Sequence, residues 1–322
     1  MRVPCSRMFC TLVLALVWME SATAQTWPSK PIRWIVPFAP GGANDITARI
    51  IAERLNQSLG RPVVVENRPG AAGIIGIELV AKSPADGYTI VSSSDTITAA
   101  PHLYSKIGFH PIKDFAPVTQ LARQPVVLAA HPSLGANSVA ELVALVKKSP
   151  GLGYATSGAG TQQHIAAEWF ASLAGIKLTH VPYKGGGQAI TDLLGGQVQI
   201  ASLGAAPVIP HYKSGKLKLL AQTTNARSPL LPEVPTYQEA GFKALAIEQW
   251  QGVFFPAGTP KEIVARLNTD IVKALAETKV RERFAQNGLE TVGNTPEQFA
   301  AVVRTDYEKY GRLVRELKIS ID

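Results

Sequence analysis

The stretch IRWIVPFAPGGANDITARIIAERLNQSLGRPVVVEN, residues 32–67, carries the plan of the chain in one pass. Ile32 to Val36 is a short apolar run with the length of a buried strand. Ala43 to Leu59 then places Ile46, Ile50, Ile51 and Leu55 at helical spacing, so it reads as a helix with one apolar face. Val63 to Glu66 is a second buried strand. Between the first strand and the helix lies Val36-Pro37-Phe38-Ala39-Pro40-Gly41-Gly42-Ala43-Asn44-Asp45, a turn dense in proline and glycine. Short apolar strands alternating with amphipathic helices argue for α/β layers with largely parallel sheets.

The alternation continues outward. Ile74 to Ala81 reads as a helix and Thr89 to Ser92 as a strand. A second set follows: strand Val126–Ala130, helix Ser138–Lys148, strand Gly153–Thr156, helix Thr161–Ala174 and strand Leu178–Val181. Helix Gly187–Leu194 and strands Val198–Ser202 and Lys218–Gln222 complete it. The C-terminal part is mostly helical, with Thr259-Pro260-Lys261-Glu262 and Thr295-Pro296-Glu297-Gln298 as start signals. The 322 residues, 46% hydrophobic and 17% charged, suffice for two lobes. With no flexible linker in view, the chain is expected to cross between lobes more than once, at Pro125–Ala130 and Glu248–Phe255. That assigns residues 25–124 and 250–322 to one lobe and 125–249 to the other, a hinge arrangement suited to closing around a ligand.

The first residues bear on compartment. Arg2 and Arg7 precede the short apolar core Met8–Met19, and Ala22-Thr23-Ala24 supplies small residues where a signal peptidase cuts. Residues 1–24 therefore read as a signal peptide cleaved after Ala24, and the protein as exported to the periplasm. The apolar run is shorter than the roughly 20 residues that span a bilayer. Both cysteines, Cys5 and Cys10, fall inside this leader, so disulfides, thiolate metal sites and cysteine nucleophiles are not expected in the mature chain. Without residues 1–24, 30 basic and 23 acidic side chains leave a charge of +7. The cations are scattered singly, with no basic stripe and interleaved aromatics, so nucleic acid is not the expected partner.

Glycines in a strand-to-helix turn let a ligand approach the backbone and leave the first helix N–H groups free. With the positive end of the helix dipole they make an anion site that needs no charged side chain. The Val36–Asp45 turn reads equally as such a site or as a plain tight turn with Asp45 near the helix start. Thr156-Ser157-Gly158-Ala159-Gly160-Thr161-Gln162-Gln163-His164 has the same logic, with hydroxyl and amide groups able to orient a carboxylate. Ser92-Ser93-Ser94-Asp95-Thr96 adds hydroxyls, or is simply a helix start capped by Asp95. Lys184, in Val181–Gly187, attracts anions or is a solvated surface lysine. Enzyme signatures are poor: no HExxH, GxSxG, Walker loop or GxGxxG is present, and His164 follows Ser157 at a spacing unlike a nucleophile elbow. No catalytic residue, metal site or cofactor is expected. A secreted hydrolase using Ser157 and His164 is the reading from another class.

Across essentially the whole mature chain the sequence resembles the Bug family, extracytoplasmic receptors of tripartite tricarboxylate transporters. The resemblance rests on WPSKPIRWIVPFAPGGANDITARI (residues 27–50), VVVENRPGAAG (63–73), ADGYTI (85–90) and KDFAPVTQLA (113–122). HVPYKGGGQAITDLLGGQVQ (180–199) and PAGTPKEIVARLN (256–268) complete it. It implies a type II two-lobed periplasmic-binding-protein fold with the ligand cleft between the lobes, and a monomer that delivers a small carboxylate to membrane transporter subunits. A receptor serving a membrane sensor kinase is the alternative of the same fold. Carried over by position, the ligand site comprises Phe38, Pro40, Gly41, Gly42 and Asp45 of the first lobe. The second lobe contributes Gly158, Gly160, Thr161, Gln162, Gln163 and His164, and Ser94 adds a third contribution. Gln162 and Gln163 stand where small serines are common, and Ala159 where asparagine is frequent. The loop after Ile200 reads Ala201-Ser202-Leu203-Gly204, with Ser202 the remaining site residue, where many relatives carry an acidic or amide side chain. Loss of an acidic residue there disfavours solutes with an amino group.

Overall fold

The computed structural model describes residues 27–319 and 321; the leader reading, with Cys5, Cys10 and Ala24, lies outside the described residues. β1 (Ile32–Val36) lies between β2 (Val63–Asn67) and β3 (Thr89–Ser94), all parallel. The connections are α1 (Ala43–Leu59) and α2 (Ile74–Ala81), and α3 (Thr96–Leu103) follows β3. In the second half α4 (Val139–Lys148) leads into β5 (Leu152–Thr156), which runs parallel to β6 (Leu178–Pro182) and β7 (Ile200–Gly204). Here the connections are α5 (Gln162–Ala174) and α6 (Gly186–Leu194), and the short α7 (Ile209–Lys213) follows β7.

Two long strands join the halves. β4 (Phe115–Ala130) pairs antiparallel with β9 (Glu248–Pro256) along Phe115–Pro125, then with β7 and β8 (Lys218–Gln222) along Val126–Ala130. One strand thus leaves the first sheet and enters the second. The chain returns where Ile247 N–H donates to Thr223 O at 2.9 Å, just before Glu248 pairs with Pro125. The result is a mixed α/β, two-lobed architecture, with each parallel set confined to its own half.

Parallel strands in the first half are covered on both faces, which is why they read as near-continuous apolar runs. Trp34 and Val36 point to the face covered by α1, α8 (Lys261–Ala276) and α9 (Thr278–Gln286). Ile35 and Val91 point to the opposite face, with Phe299 and Val303 of α10 (Pro296–Leu317). The second half has its own pair of cores. At the junction Ala99 and Leu103 of α3, Val126 of β4, Ile165 of α5 and Tyr310 and Leu313 of α10 form one further apolar cluster. A buried side chain of this size is worth about 1.5–3 kcal/mol, so the halves meet through a packed joint.

Two elements go beyond the sequence reading and one local expectation changes. Residues 115–124 are strand, although Pro117 and Pro125 interrupt the pattern; register shifts near Pro117 and Gln120 absorb the disruption. Thr96–Leu103 is helical despite Pro101. The capping box expected at Thr295 is present, with Gln298, but Thr259 donates its hydroxyl to Pro256 O instead of capping α8.

Candidate functional site

The first turn joins β1 to α1 at the carboxyl end of its sheet, where open α/β folds bind ligands. Gly41 adopts φ +84°, a conformation that L side chains rarely take. Gly42 is the N-cap of α1, and no side chain caps it. Pro40, Gly41 and Gly42 are exposed and Phe38 is half-buried, its ring within about 3.2 Å of where a Cβ on Gly73 would sit. Beneath them Asp45 is only 4% exposed. Its carboxylate accepts the Gly41 N–H at 3.0 Å, Asn67 Nδ2 at 2.9 Å and the Arg49 guanidinium at 3.0 Å. Asn67 also donates to Phe38 O at 3.0 Å. Burial pushes the Asp45 carboxyl up, but these hydrogen bonds outweigh it and hold its pKa below the ordinary value. Asp45 is the ionised brace that shapes the turn.

The second turn joins β5 to α5. Gly158 and Gly160 both take positive φ. Thr161 is the N-cap of α5, yet its hydroxyl donates to Gly158 O at 2.8 Å and does not cap the helix. Thr161, Gln162, Gln163 and His164 are all buried. Here the brace is neutral. Gly160 N–H donates to His164 Nδ1 at 3.2 Å, which assigns the ring proton to Nε2. The His164 ring stacks on His180, centroids 3.9 Å apart, and His180 stacks in turn on Tyr154. Burial pushes His164 down to about 4; burial and then His164 push His180 down to about 3. Both rings are therefore uncharged at neutral pH.

The remaining site residues divide by role. Ser202 Oγ donates to the Gln163 main-chain oxygen at 2.8 Å, so it steadies α5 from below. The two glutamines turn away from one another: Gln163 Oε1 accepts Ser157 Oγ at 3.1 Å, and Gln162 Nε2 donates to Glu248 O at 2.9 Å and Tyr310 OH at 2.6 Å. Ser94 Oγ donates to Thr96 Oγ1 at 2.9 Å. Asp95 occupies the N-cap position of α3 without capping it; its side chain points into the buried joint. Lys184 is exposed on the turn after β6, beside the second turn, where Tyr183 N–H donates to Thr156 O at 3.1 Å.

Sequence reasoning missed Trp34 and Gln251, and did not single out Asn44 or Ser92 within the stretches it marked. Trp34 Nε1, Asn44 Oδ1, Ser92 Oγ and both amide atoms of Gln251 are buried without a partner. Gln251 sits opposite Ser94 in the β3–β9 register, two strands from the first turn. Only strand alternation, which puts Ser92, Ser94 and Gln251 on the α1 face, carries any sequence signal. The hydrolase arrangement is absent from these contacts: Ser157 bonds Gln163, while His164 Nδ1 is spent on its own turn. A surface groove lined by Tyr212, Lys213, Pro229, Leu230, Pro232 and Glu233 shares no residue with either turn.

Two α/β lobes joined by long shared strands, with glycine-rich turns at the carboxyl ends of the parallel strands, define the class of two-lobed periplasmic binding proteins. Residues 47–319 match the tripartite tricarboxylate transporter family receptor, and this chain belongs to that family. It is 39% identical to Protein BugT of Bordetella pertussis over 297 residues, covering 91% of each chain. Among solved structures it resembles an R. palustris protein with adipate, with 34% identity and TM-score 0.86 over 92% of this chain and 100% of that one. MatC from Rhodopseudomonas palustris with bound malate is 31% identical, with TM-score 0.83 over 89% and 100% of the two chains.

Proposed function

We propose that this protein is an extracytoplasmic receptor that closes on a small carboxylate and delivers it to the membrane subunits of a tripartite transporter. The observation that carries this reading is the pair of glycine-shaped helix starts, at Gly42 and Thr161, that no side chain caps. Each offers backbone N–H groups and the positive helix end to an anion. Adipate and malate in the two structural relatives support a carboxylate. In this reading the lobes are residues 25–124 with 250–322, and 125–249, and closure is stabilised by contacts that the solute makes with both. Phe38, Pro40, Gly41 and Gly42 meet the solute from one lobe, and Gly158, Gly160 and Thr161 from the other. Asp45, His164, Gln163 and Ser202 hold the turns in shape. The receptor works in the periplasm as a monomer, after removal of residues 1–24, and turns nothing over.

The test is a thermal-shift series on residues 25–322 with malate, adipate, aromatic acids and amino acids, followed by calorimetry. A solute at 100 times its dissociation constant adds about 2.7 kcal/mol. Gly42→Val retains an allowed φ of −82° and has room for its Cβ, but covers the helix start. It is expected to fold and to weaken binding about 10- to 100-fold, the value of hydrogen bonds to a charged group. Unchanged affinity in that variant would remove the first turn from the site. A preference for amino acids over all the other acids would overturn the selectivity expected from the Ala201–Gly204 loop.

A further inference from the structure

Asp95 directly follows β3 and is completely buried, yet it caps nothing. Tyr310, on α10, stands between it and the second half. The Tyr310 hydroxyl donates to Asp95 Oδ2 at 3.3 Å and accepts Gln162 Nε2 at 2.6 Å. Gln162 is the first residue of α5, next to the Thr161 helix start. A three-residue chain therefore runs from the end of a first-half strand to the start of the second-half anion turn.

With Asp95 ionised, this chain is short of donors. Asp95 Oδ1 and Gln162 Oε1, on either side of Tyr310, are both buried acceptors without a donor. An ionised Asp95 would hold a charge with one side-chain hydrogen bond, sealed from water, and that is costly. The nearby cation relieves it only in part. Lys309 of α10 is committed to Asp306 at 2.6 Å, and Asp306 also accepts Trp250 Nε1 of β9 at 2.7 Å. Glu248, at the start of β9, is raised by burial and pairs with Arg123 of β4, which also pairs with Glu290 of β10 (Glu290–Thr291). His164 of α5 is neutral. Burial first, then the Asp306 charge, pushes Asp95 well above the ordinary range, with Lys309 opposing. One proton on Asp95 removes the buried charge.

We propose that Asp95 is kept as a neutral carboxylic acid and that, through Tyr310 and Gln162, it positions the start of α5 relative to the end of β3. The second turn is then presented to the solute from a set place; that last consequence rests on the receptor reading. Asp95, Tyr310 and Gln162 are positioning residues.

Asp95→Asn keeps the shape and the neutral state, so it is the decisive variant. A group whose folded pKa is raised contributes stability below its unfolded value, near 3.8, and loses it as pH rises toward the folded value. Asp95→Asn is therefore expected to melt at or above the wild-type temperature, by a margin that grows between pH 5 and pH 7. Infrared difference spectra should show the carbonyl stretch of a protonated acid in wild type at pH 7 and not in the variant. A missing band, or Asp95→Asn melting below wild type at both pH values, would overturn the proposal. For positioning, Tyr310→Phe keeps the packed ring and removes the link. Amide hydrogen exchange at Gly160 and at Ile165, the bonded amides that bracket the helix start, is expected to speed up at least tenfold, with β1 and β5 unchanged. Equal exchange in wild type and variant would sink the positioning role. If Tyr310→Phe does not fold, Gln162→Met breaks the same link and is read the same way. None of these readouts needs a solute, so failure of malate and adipate to bind would count against the receptor reading alone.

Discussion

The two turns reach one backbone geometry by opposite electrostatic means. Under the first, an ionised carboxylate, Asp45, ties Gly41, Asn67 and Arg49 together. Under the second, the supports are neutral: His164 on Gly160, Ser202 on Gln163, and a ring stack through His180 to Tyr154. The first turn is exposed and the second is packed against the other half, with Tyr104 OH donating to Ala159 O at 3.4 Å. An anion site needs free N–H groups, and either kind of brace can hold them in place. The brace decides how the site responds to mutation and pH.

The sharpest break of this contrast is Asp45→Ala. It leaves three former donors without their acceptor, so about 2–4 kcal/mol of stability is expected to go. Urea unfolding at pH 7 checks it; a loss below about 1 kcal/mol would mean that the ion is incidental. Next come two alanines at glycines of like backbone angle. A Cβ on Gly160, φ +74°, would collide with Ile321 and meet Leu103 at 3.3 Å, whereas Gly41, φ +84°, has nothing within 4 Å. Gly160→Ala is expected to cost about 2–3 kcal/mol and Gly41→Ala about 1 kcal/mol. Equal losses would show that the backbone angle alone matters.

The smallest effect is in pH. His164 and His180, lowered to about 4 and about 3, bind protons more readily in the unfolded chain, so stability falls as pH drops below about 6.5 toward 4. Asp45, lowered from an ordinary value of 3.8, contributes fully above that value and fails only below it. Between pH 7 and pH 6 a loss on the order of 1 kcal/mol is expected from the histidines, and His164→Gln should flatten it. An unchanged slope in that variant would place the titration elsewhere.

Much of the fold was legible because both of its periods are local. β1, α1, α2 and β8 fall where strand length and helical spacing put them, and the glycines of both turns mark themselves by type. The long β4 was not, since its two prolines mimic an ending and only pairing with β9 and β7 sustains it. Asp95 stayed open as a cap for the same reason: position beside a helix is visible in sequence, but the direction of a side chain is not.

The sequence by itself therefore determined the alternation of strands and helices, the two glycine-shaped helix starts and the family. The elements and the helix starts depend on residues within one turn or one strand of each other, and the family on a series of such local motifs in order along the chain. Only the tertiary structure decided that Asp45 is a brace, that His164 serves its own turn, and that Gln162 faces Tyr310 and Asp95. Those partners lie up to 215 residues apart. A polar side chain buried by the fold takes whatever partner the packing delivers, and no local spacing records which one that is.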